Sequence, residues 1–308
     1  AATFPDGSAF YPLVVVDPQT VLGLAQSSDG LRSDLVVAGP TGAPRLLEQV
    51  VIDSGKRVGP YAATADAFDW MSADVDDLGD PHFSLWTAPR RGGAPRRVSA
   101  DVGEPIENNS QYDMQIVGDR LYWISGDDAG AYQLRWIALS GGPVGSRPLP
   151  GQWQMLAWPW LATAPGVTAT PGLWNLDTGE HRQVSVSPGR IVFCSLSWCR
   201  TIGSNVDNAG STELARPDGS DRQVLGGQDT IAVANDVAAL DRFEPLMIPL
   251  ASGYLTNYRV LLYDIAHRRT VHIEDNASDA YAMGDFLWWS TGDNETTAWY
   301  GLDLRALR

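Results

Sequence analysis

The chain has 308 residues, 44% of them hydrophobic, and a formal net charge of −15. This apolar content is enough for a large buried core, which excludes general disorder. The negative charge argues against nucleic acid and anionic membranes as partners, because both need a basic patch. No apolar run approaches the ~20 residues of a membrane-spanning helix. We therefore expect a globular protein with no transmembrane segment and no nucleic-acid partner.

The chain begins with AATFPDGSAF, which has neither a basic segment nor an apolar one, so no signal peptide is visible. A signal peptide that has already been removed is compatible with this start. Lys56 is the only lysine, and arginine carries the rest of the positive charge. This bias is typical of high-GC genomes and suggests an actinobacterial origin.

Similar units follow one another along the chain. Each consists of a strand, a polar loop, a second strand, a tight turn and a more basic strand. The clearest copies place aromatic pairs in alternating strands, as in AFDWMSAD, DRLYWISGDD and DFLWWSTGD. Seven copies give a period of about 44 residues, which matches the blade of a β-propeller. The copies begin at Thr20, Ala67, Asp119, Pro159, Cys199, Val237 and Asp285.

An innermost strand is expected before each copy, which gives four strands per blade, named a to d from the inside outwards. The last copy ends without an outer strand, so we expect Ala2–Phe10 to supply it, close the ring and remove an exposed edge. The prediction is one all-β domain over residues 1–308, a seven-bladed propeller of four-stranded antiparallel blades, with a six-bladed propeller as the alternative. The expected a strands are Leu13–Asp17, Tyr61–Asp66, Tyr112–Val117, Trp153–Ala157, Ile191–Leu196, Thr230–Ala234 and Ala280–Gly284.

With these repeats, the chain resembles the TolB-like and WD40-like β-propellers of exported bacterial proteins. The resemblance extends over the whole chain but rests on the design of the repeat. A strict Gly-His…Trp-Asp signature is missing. The resemblance therefore implies a propeller fold and a broad binding role, without indicating an activity.

Charge separates between two sets of loops. The c–d turns and d strands are rich in arginine and histidine, whereas the b–c loops are acidic. These sets lie on opposite faces of a propeller, so we expect an acidic face that attracts cationic partners; general solubility is the alternative explanation. The acidic residues assigned to the b–c loops are Asp29, Asp74, Asp76, Asp77, Asp80, Asp127, Asp128, Asp207, Asp241, Glu244, Asp293 and Glu295.

The two cysteines, Cys194 and Cys199, are separated by SLSW, a suitable length for a hairpin turn. A zinc site would need further ligands nearby, and a thioredoxin-type centre would be a CxxC at the start of a helix. We therefore predict a Cys194–Cys199 disulfide across an a–b turn. Such a bond persists outside a reducing cytosol, so the sequence predicts an extracytoplasmic protein, secreted or lipid-anchored to the cell envelope.

The densest acidic run, ADVDDLGD, offers Asp74, Asp76, Asp77 and Asp80 as ligands for a structural Ca²⁺, which binds several oxygen atoms. Its spacing does not fit an EF-hand loop, and a solvated loop is the alternative. We expect no other cofactor, because the histidines are scattered and neither a GxSxG elbow nor a phosphate-binding loop occurs.

Two further stretches are candidate binding sites. Trp158 and Trp160 flank Pro159 at an a–b turn and have the surface to stack on a sugar or an aromatic ligand, with core packing as the alternative. Asp241–Tyr258 is apolar, contains two prolines and is expected to be a long b–c loop, which is usually functional. Its candidate binding residues are Phe243, Leu246, Met247, Ile248 and Tyr254.

The predicted function is that of a non-catalytic exported binding or scaffold protein, which presents its acidic face to a protein or cell-envelope ligand. The alternative is a carbohydrate-active lyase or hydrolase that uses carboxylates at the mouth of the central channel. An enzyme should bring polar groups with perturbed pKa values together in a concave pocket, for example Asp113 and His82 with an arginine.

Overall fold

The structure is a computed structural model. It describes residue 4 and residues 6–17, 19–39, 42–127, 130–166, 170–186, 190–203, 212–227, 229–234, 236–250, 257–292 and 297–307. Two 3₁₀ turns, Ile52–Ser54 and Leu304–Ala306, are the helical elements in these ranges. The chain divides into two compact units, residues 1–151 and residues 152–308.

The first unit contains three antiparallel sheets, in which consecutive strands pair in chain order. The two-residue strand β9 joins the third sheet by pairing with the end of β11. The first sheet is β1 (Ala9–Asp17), β2 (Thr20–Gln26), β3 (Ser33–Ala38) and β4 (Arg45–Glu48); the second is β5 (Arg57–Ala63), β6 (Ala67–Val75), β7 (Pro81–Pro89) and β8 (Arg96–Ser99); the third is β9 (Glu104–Pro105), β10 (Met114–Val117), β11 (Arg120–Gly126), β12 (Tyr132–Ala138) and β13 (Gly145–Leu149).

The second unit contains four antiparallel sheets with the same consecutive pairing. Over the described residues the last of them has three strands. The strands are β14 (Trp153–Met155), β15 (Trp160–Thr163), β16 (Gly172–Asn175) and β17 (His181–Gln183); β18 (Arg190–Cys194), β19 (Cys199–Gly203), β20 (Thr212–Ala215) and β21 (Gln223–Gly226); β22 (Ile231–Ala232), β23 (Phe243–Pro249), β24 (Tyr258–Asp264) and β25 (Arg269–Ala277); β26 (Asp279–Met283), β27 (Phe286–Thr291) and β28 (Ala298–Asp303).

The fold is a seven-bladed β-propeller, as predicted from the repeats. Each expected a strand overlaps the innermost strand of one blade. These innermost strands are β1, β5, β10, β14, β18, β22 and β26. The closing strand stays a prediction. Of its described residues, Phe4 and Ser8 enclose a turn, in which the Phe4 amide donates to the Ser8 carbonyl at 2.9 Å, and Ala9 and Phe10 begin β1.

The repeated aromatic residues of the first unit lie in the cores between its sheets. Phe68 and Trp70 of β6 are fully buried in a cluster that includes Leu22 and Leu35 of the first sheet. On the other side of the second sheet, a cluster joins it to Trp123 of the third. Large aromatic side chains contribute most of the buried apolar area in such cores, which explains why the sequence repeats them.

The stretch Asp241–Tyr258 is not a long b–c loop. Its described part contains β23, which pairs with β22 and along its whole length with β24. Proline is usually confined to strand edges because it cannot donate to the ladder. Here β22 pairs with only two residues of β23, so Pro245 and Pro249 lie beyond this pairing. Asp241 precedes β23, and Glu244 is part of it, so neither belongs to an acidic b–c loop.

The predicted disulfide is present. Cys194 ends β18 and Cys199 begins β19, and the two are directly opposite each other in the strand register. Their sulfur atoms are bonded and their Cα atoms are 4.0 Å apart. The turn between them is held by the Ser195 amide, which donates to the Trp198 carbonyl at 2.7 Å. The bond therefore secures one hairpin of the fifth sheet.

Candidate functional site

A cavity of about 460 Å³ lies in the first unit, where the ends of its three sheets meet. This volume is within the range of ligand pockets, about 300–1,000 Å³. The wall combines aliphatic, aromatic and charged side chains, the usual composition of a binding pocket. The lining residues are Leu24, Ser33, Val50, Arg57, Val58, Phe83, Glu104, Pro105 and Glu107.

The short strand β9 places two carboxylates in the wall of this cavity. Glu104 is the first residue of β9 and is opposite Gly126 of β11. Glu107 follows β9 in a segment that Asp113 organises, because a buried Asp113 oxygen accepts hydrogen bonds from the amides of Asn108 and Ser110 at 2.8 and 3.0 Å. Asp113 thus has a positioning role in the loop beside Glu107.

Glu107 is close to the start of strand β5. Gly59 adopts a φ of +132°, a conformation that favours glycine, and a Cβ atom there would lie 3.0 Å from Oε2 of Glu107. Although Glu107 is exposed to the cavity, the protein surrounds it closely enough that desolvation raises its pKa. The charge of Arg57 acts in the opposite direction but does not cancel this effect.

The cations near the cavity have other contacts. The Arg57 guanidinium lies over the ring of Phe83, with its Cζ atom 5.6 Å from the centroid, in a cation–π arrangement. The Lys56 ammonium contacts Glu48 at 2.8 Å and Asp74 at 3.1 Å. Among the described residues, the side chains of Glu104 and Glu107 form no ion pair. The cavity wall therefore carries more negative than positive charge.

Exposed aliphatic side chains lie beside the cavity. Chain segments around Leu31 and Ile52 run side by side, since the Ile52 amide donates to the Leu31 carbonyl at 2.9 Å. A Cβ atom at Gly55 would meet the Val75 side chain at 2.7 Å, which brings the end of β6 to the same region. The aliphatic patch, as we call it, consists of Leu31 (59% exposed), Val51 (47%), Ile52 (42%), Val75 (36%) and Leu78 (86%).

Carboxylates alternate with the aliphatic patch along the chain. Hydrogen bonds lower the pKa of two of them: Ser27 and the Leu31 amide donate to Asp29, and His82 and two backbone amides donate to Asp76. These groups therefore stay ionised over a wide pH range. The acidic rim, as we call it, consists of Asp29, Asp53, Asp74, Asp76, Asp77 and Asp80.

The acidic b–c loops are confirmed for part of the chain. Asp29, Asp76 and Asp127 lie in turns between a second and a third strand, whereas Asp74 lies within β6 and not in a loop. The predicted basic residues lie at c–d turns and on d strands, but several have acidic partners there, as in the Arg182–Glu180 and Arg268–Asp221 ion pairs. Asp128, Asp207, Asp293 and Glu295 lie outside the described residues.

The proposed Ca²⁺ ligands do not form a cluster. Asp74 contacts Lys56, and Asp76 accepts hydrogen bonds from His82, the Leu78 amide and the Asp80 amide. No group of three or more His, Cys, Asp or Glu side chains in the described ranges is arranged to hold a metal ion. This corrects the expectation of a Ca²⁺ site at Asp74, Asp76, Asp77 and Asp80, because Asp74 is paired with Lys56 and the Asp76 oxygens hold the turn.

The apolar residues of β23 are core residues rather than an exposed binding loop. Phe243 and Leu246 are buried, with 3% and 1% of their surfaces exposed. Met247 packs against the core cluster that contains Phe243, and Ile248 is half-buried. The strand alternates its side chains between two covered faces, which explains the long apolar run. Tyr254 lies outside the described residues.

Trp158 and Trp160 are half-buried at the predicted a–b turn. The guanidinium of Arg182 lies over the Trp160 ring at 4.3 Å, so one face of this ring already has a partner. Sugar binding by the two tryptophans stays a prediction.

Asp113, His82 and an arginine do not meet in one cleft. Asp113 is buried under the loop that carries Glu107, whereas the exposed His82 pairs with Asp76 at 3.0 Å. Neither residue lines the cavity, whose arginine is Arg57. Sequence reasoning missed Glu104, Glu107 and Arg57, because they are distant along the chain and belong to no motif.

No family model matches this sequence, and no curated protein matches it either. Solved structures do. A puromycin-hydrolysing peptidase from Mycobacterium tuberculosis is similar with a TM-score of 0.60 and 14% identity, over 98% of this chain and 52% of that one. An acylaminoacyl peptidase from Pyrococcus horikoshii has a TM-score of 0.56 and 7% identity, over 80% and 45%.

The β-propeller domain of the Trilobed protease from Pyrococcus furiosus is similar with a TM-score of 0.51 and 8% identity, over 80% of this chain and 81% of that one. TolB from Acinetobacter baumannii is also found, at a TM-score of 0.35, which is too low to add to the argument. The chain thus spans about half the length of the two peptidases. At these identities the comparisons show the propeller fold alone.

In the part of the chain that the structure describes, no helix has the length and apolarity needed to cross a membrane.

Proposed function

We propose that this propeller is a non-catalytic binding module, and that its ligand is a protein that docks on the b–c end of the first unit. The observation that carries the proposal is the aliphatic patch, five exposed side chains on neighbouring segments, of which Val51 directly follows the cavity residue Val50. Contiguous exposed apolar surface with a polar border is typical of protein interaction sites, because isolated proteins rarely leave such surface in water.

Charge defines the chemistry of the partner. The acidic rim alternates with the aliphatic patch along the chain, and the side chains of Lys56 and His82 both contact aspartates of this rim. A partner with exposed aliphatic side chains and a basic border complements this surface, and opposite charges accelerate association. The similar propellers belong to peptidases, which agrees with a polypeptide ligand.

The disulfide supports a location outside the reducing cytosol, because disulfides persist in oxidising compartments. We therefore propose an exported protein, secreted or anchored by a lipid. A cell-envelope glycan or lipid as ligand is the outcome that the following experiment distinguishes from a protein.

The proposal is tested by affinity capture from the native envelope with the wild type, a Leu31→Ser/Leu78→Ser variant and a control. Val224→Ser is a matched control, because Val224 is 66% exposed but lies on β21 in the second unit. We expect a protease-sensitive partner that the wild type and the control retain and the patch variant loses. Equal capture by all three, or capture of a glycan or lipid alone, would overturn the proposal.

A second candidate function is a carbohydrate-active enzyme. It is favoured by one observation: Glu107, with its raised pKa, and Glu104 line the same cavity. A glycosidase needs one protonated and one ionised carboxyl group near the scissile bond. Release of reducing ends from envelope polysaccharides, lost in Glu107→Gln, would support this alternative; its absence with active wild-type protein would exclude it for those substrates.

A further inference from the structure

The cavity beside the aliphatic patch has unmet negative charge. Glu104 and Glu107 have no ion-pair partner among the described residues, and Arg57 lies over Phe83 instead of reaching either carboxylate within 4.0 Å. Both side chains are exposed at the cavity, so a cationic ligand group can reach them, and the surrounding protein partly desolvates Glu107.

The apolar part of the cavity wall suits the methylene stem of a lysine or arginine side chain. The apolar residues that line the cavity are Leu24, Val58, Phe83 and Pro105. Lysine and arginine side chains bury their methylene stems along apolar surface while the charged head stays with polar groups. The cavity wall combines these apolar groups with two carboxylates, so it offers surface for both the stem and the charged end of a basic side chain.

The cavity is continuous with the docking surface. Val50 lines the cavity and the next residue, Val51, belongs to the aliphatic patch. The Ser33 amide donates to the Val50 carbonyl at 2.8 Å, which fixes this connection between the first sheet and the segment after it. A protein seated on the patch therefore has the cavity within reach of its own side chains.

We propose that the cavity is a recognition pocket for a basic side chain of the docked protein, which inserts its charged end between Glu104 and Glu107. This inference rests on the proposed function, because it assigns the partner's anchor residue. Charged anchors in a pocket commonly dominate the affinity of an interface.

The inference is tested with two synthetic peptides, acetyl-Leu-Arg-Leu-amide and its citrulline isostere, titrated into the full chain by calorimetry. Citrulline keeps the shape of arginine and removes its charge. We expect the arginine peptide to bind with a Kd on the order of 1 mM or tighter and the isostere about tenfold more weakly. Equal affinities, or no heat from the arginine peptide at about ten times that concentration, would overturn the inference.

Variants identify the pocket and separate the two proposals. Glu104→Gln and Glu107→Gln should each weaken the arginine peptide about tenfold, leaving the isostere unchanged. Glu180→Gln is the control: Glu180 is an exposed glutamate of the second unit that pairs with Arg182, so its replacement should not change peptide binding. If the patch variant loses the partner protein while the two glutamine variants bind the arginine peptide normally, the docking surface stands and the pocket assignment fails.

The pH dependence gives an independent readout. Because burial raises the pKa of Glu107, its charge is lost at a higher pH than that of an ordinary glutamate. Affinity for the arginine peptide should therefore fall as the pH is lowered, and Glu107→Gln should remove the corresponding step. A flat profile in the wild type would contradict the role of Glu107.

Discussion

Carboxylates of the two units occupy opposite environments. In the first unit, Glu104 and Glu107 lie at a cavity without ion-pair partners among the described residues. In the second, Glu244 is buried against Arg200 at 2.5 Å, and Asp264 accepts hydrogen bonds from Arg242 and His267 at 3.0 and 2.8 Å. A carboxylate whose oxygens are paired with cations stabilises the fold. A carboxylate without such partners is available to a ligand.

The pKa values follow this difference. Burial alone would raise the pKa of Asp264, but the hydrogen bonds from Arg242 and His267 outweigh it and hold the pKa far below its ordinary value. For Glu107, desolvation is the larger influence, and its pKa lies above the ordinary value. Asp264 in the second unit therefore keeps its charge to a lower pH than an ordinary aspartate, whereas Glu107 in the first unit loses its charge at a higher pH than an ordinary glutamate.

The largest effect is expected when the buried ion pair of the second unit is broken. Arg200→Met should lower the free energy of unfolding by about 3–5 kcal/mol, because the fully buried Glu244 would lose its cationic partner. Denaturant titration measures this loss. The matched control is Arg259→Met, which removes an exposed ion pair with Asp275 and should cost about 0–1 kcal/mol. Similar losses for the two variants would show that the buried carboxylate is not structurally important.

A smaller effect is expected at Asp264. Asp264→Asn should cost about 2–3 kcal/mol at neutral pH, through hydrogen bonds to charged groups that become weaker. The lowered pKa means that this stabilisation is fully present above pH ~4 and is lost as the pH falls towards the folded-state pKa. The difference between wild type and variant should therefore shrink in acid, which thermal unfolding at several pH values measures. A difference that grows in acid would reverse the sign of this interpretation.

The disulfide is expected to contribute about as much as a single hydrogen-bonded contact of this kind. Cys194→Ser/Cys199→Ser should cost about 2 kcal/mol, because the bond closes only a short loop. Denaturant titration with and without a reductant provides the measurement. Alkylation of both cysteines in the denatured but unreduced protein, detected by mass, would show that the bond does not form.

The smallest effect is expected at the cavity. Glu107→Gln should change the free energy of unfolding by less than about 0.5 kcal/mol at neutral pH, and not towards lower stability. A raised carboxyl pKa means that the wild type loses stability as the pH rises through that pKa, and glutamine has no such step. Glu104→Gln, which lies in the same wall, should be neutral. A large loss in either variant would make these glutamates structural, like Glu244.

Local patterns in the sequence are sufficient to predict the blades and the disulfide bond. Paired aromatic residues such as Phe68 and Trp70 recur because each sheet packs large side chains against the next sheet. The spacing of these pairs along the sequence therefore indicates the length and number of the blades. The spacing of Cys194 and Cys199 is a local property of one hairpin. Features that depend on neighbouring residues, or on a pattern repeated along the chain, can be predicted from a single sequence.

The remaining features depend on long-range packing. Pro245 and Pro249 favour a loop over β23, and only the two-residue length of β22 explains how a strand tolerates them. The turn before β23 contains Ala238, Leu240 and Asp241 at positive φ, which side chains other than glycine seldom adopt. Such a turn has no sequence signal.

The cavity had no sequence signal either. Its wall combines Leu24 from β2, Phe83 from β7 and Glu104 from β9, so it exists only once three sheets are assembled. β9 is two residues long and is recognised only by its pairing with β11. The sequence does indicate the acidic character of this end of the first unit, whereas the apolar segment that it offers for binding is a strand of the core, β23.

Site-specific photo-crosslinking tests the docking surface most directly. Benzoylphenylalanine replaces Leu78, the most exposed residue of the aliphatic patch, or Val224, a similarly exposed residue of the second unit, and the proteins are irradiated in the native envelope. We expect a discrete crosslinked protein from position 78 and none from position 224. Crosslinks of equal yield from both positions, or from position 224 alone, would contradict binding at the b–c end of the first unit.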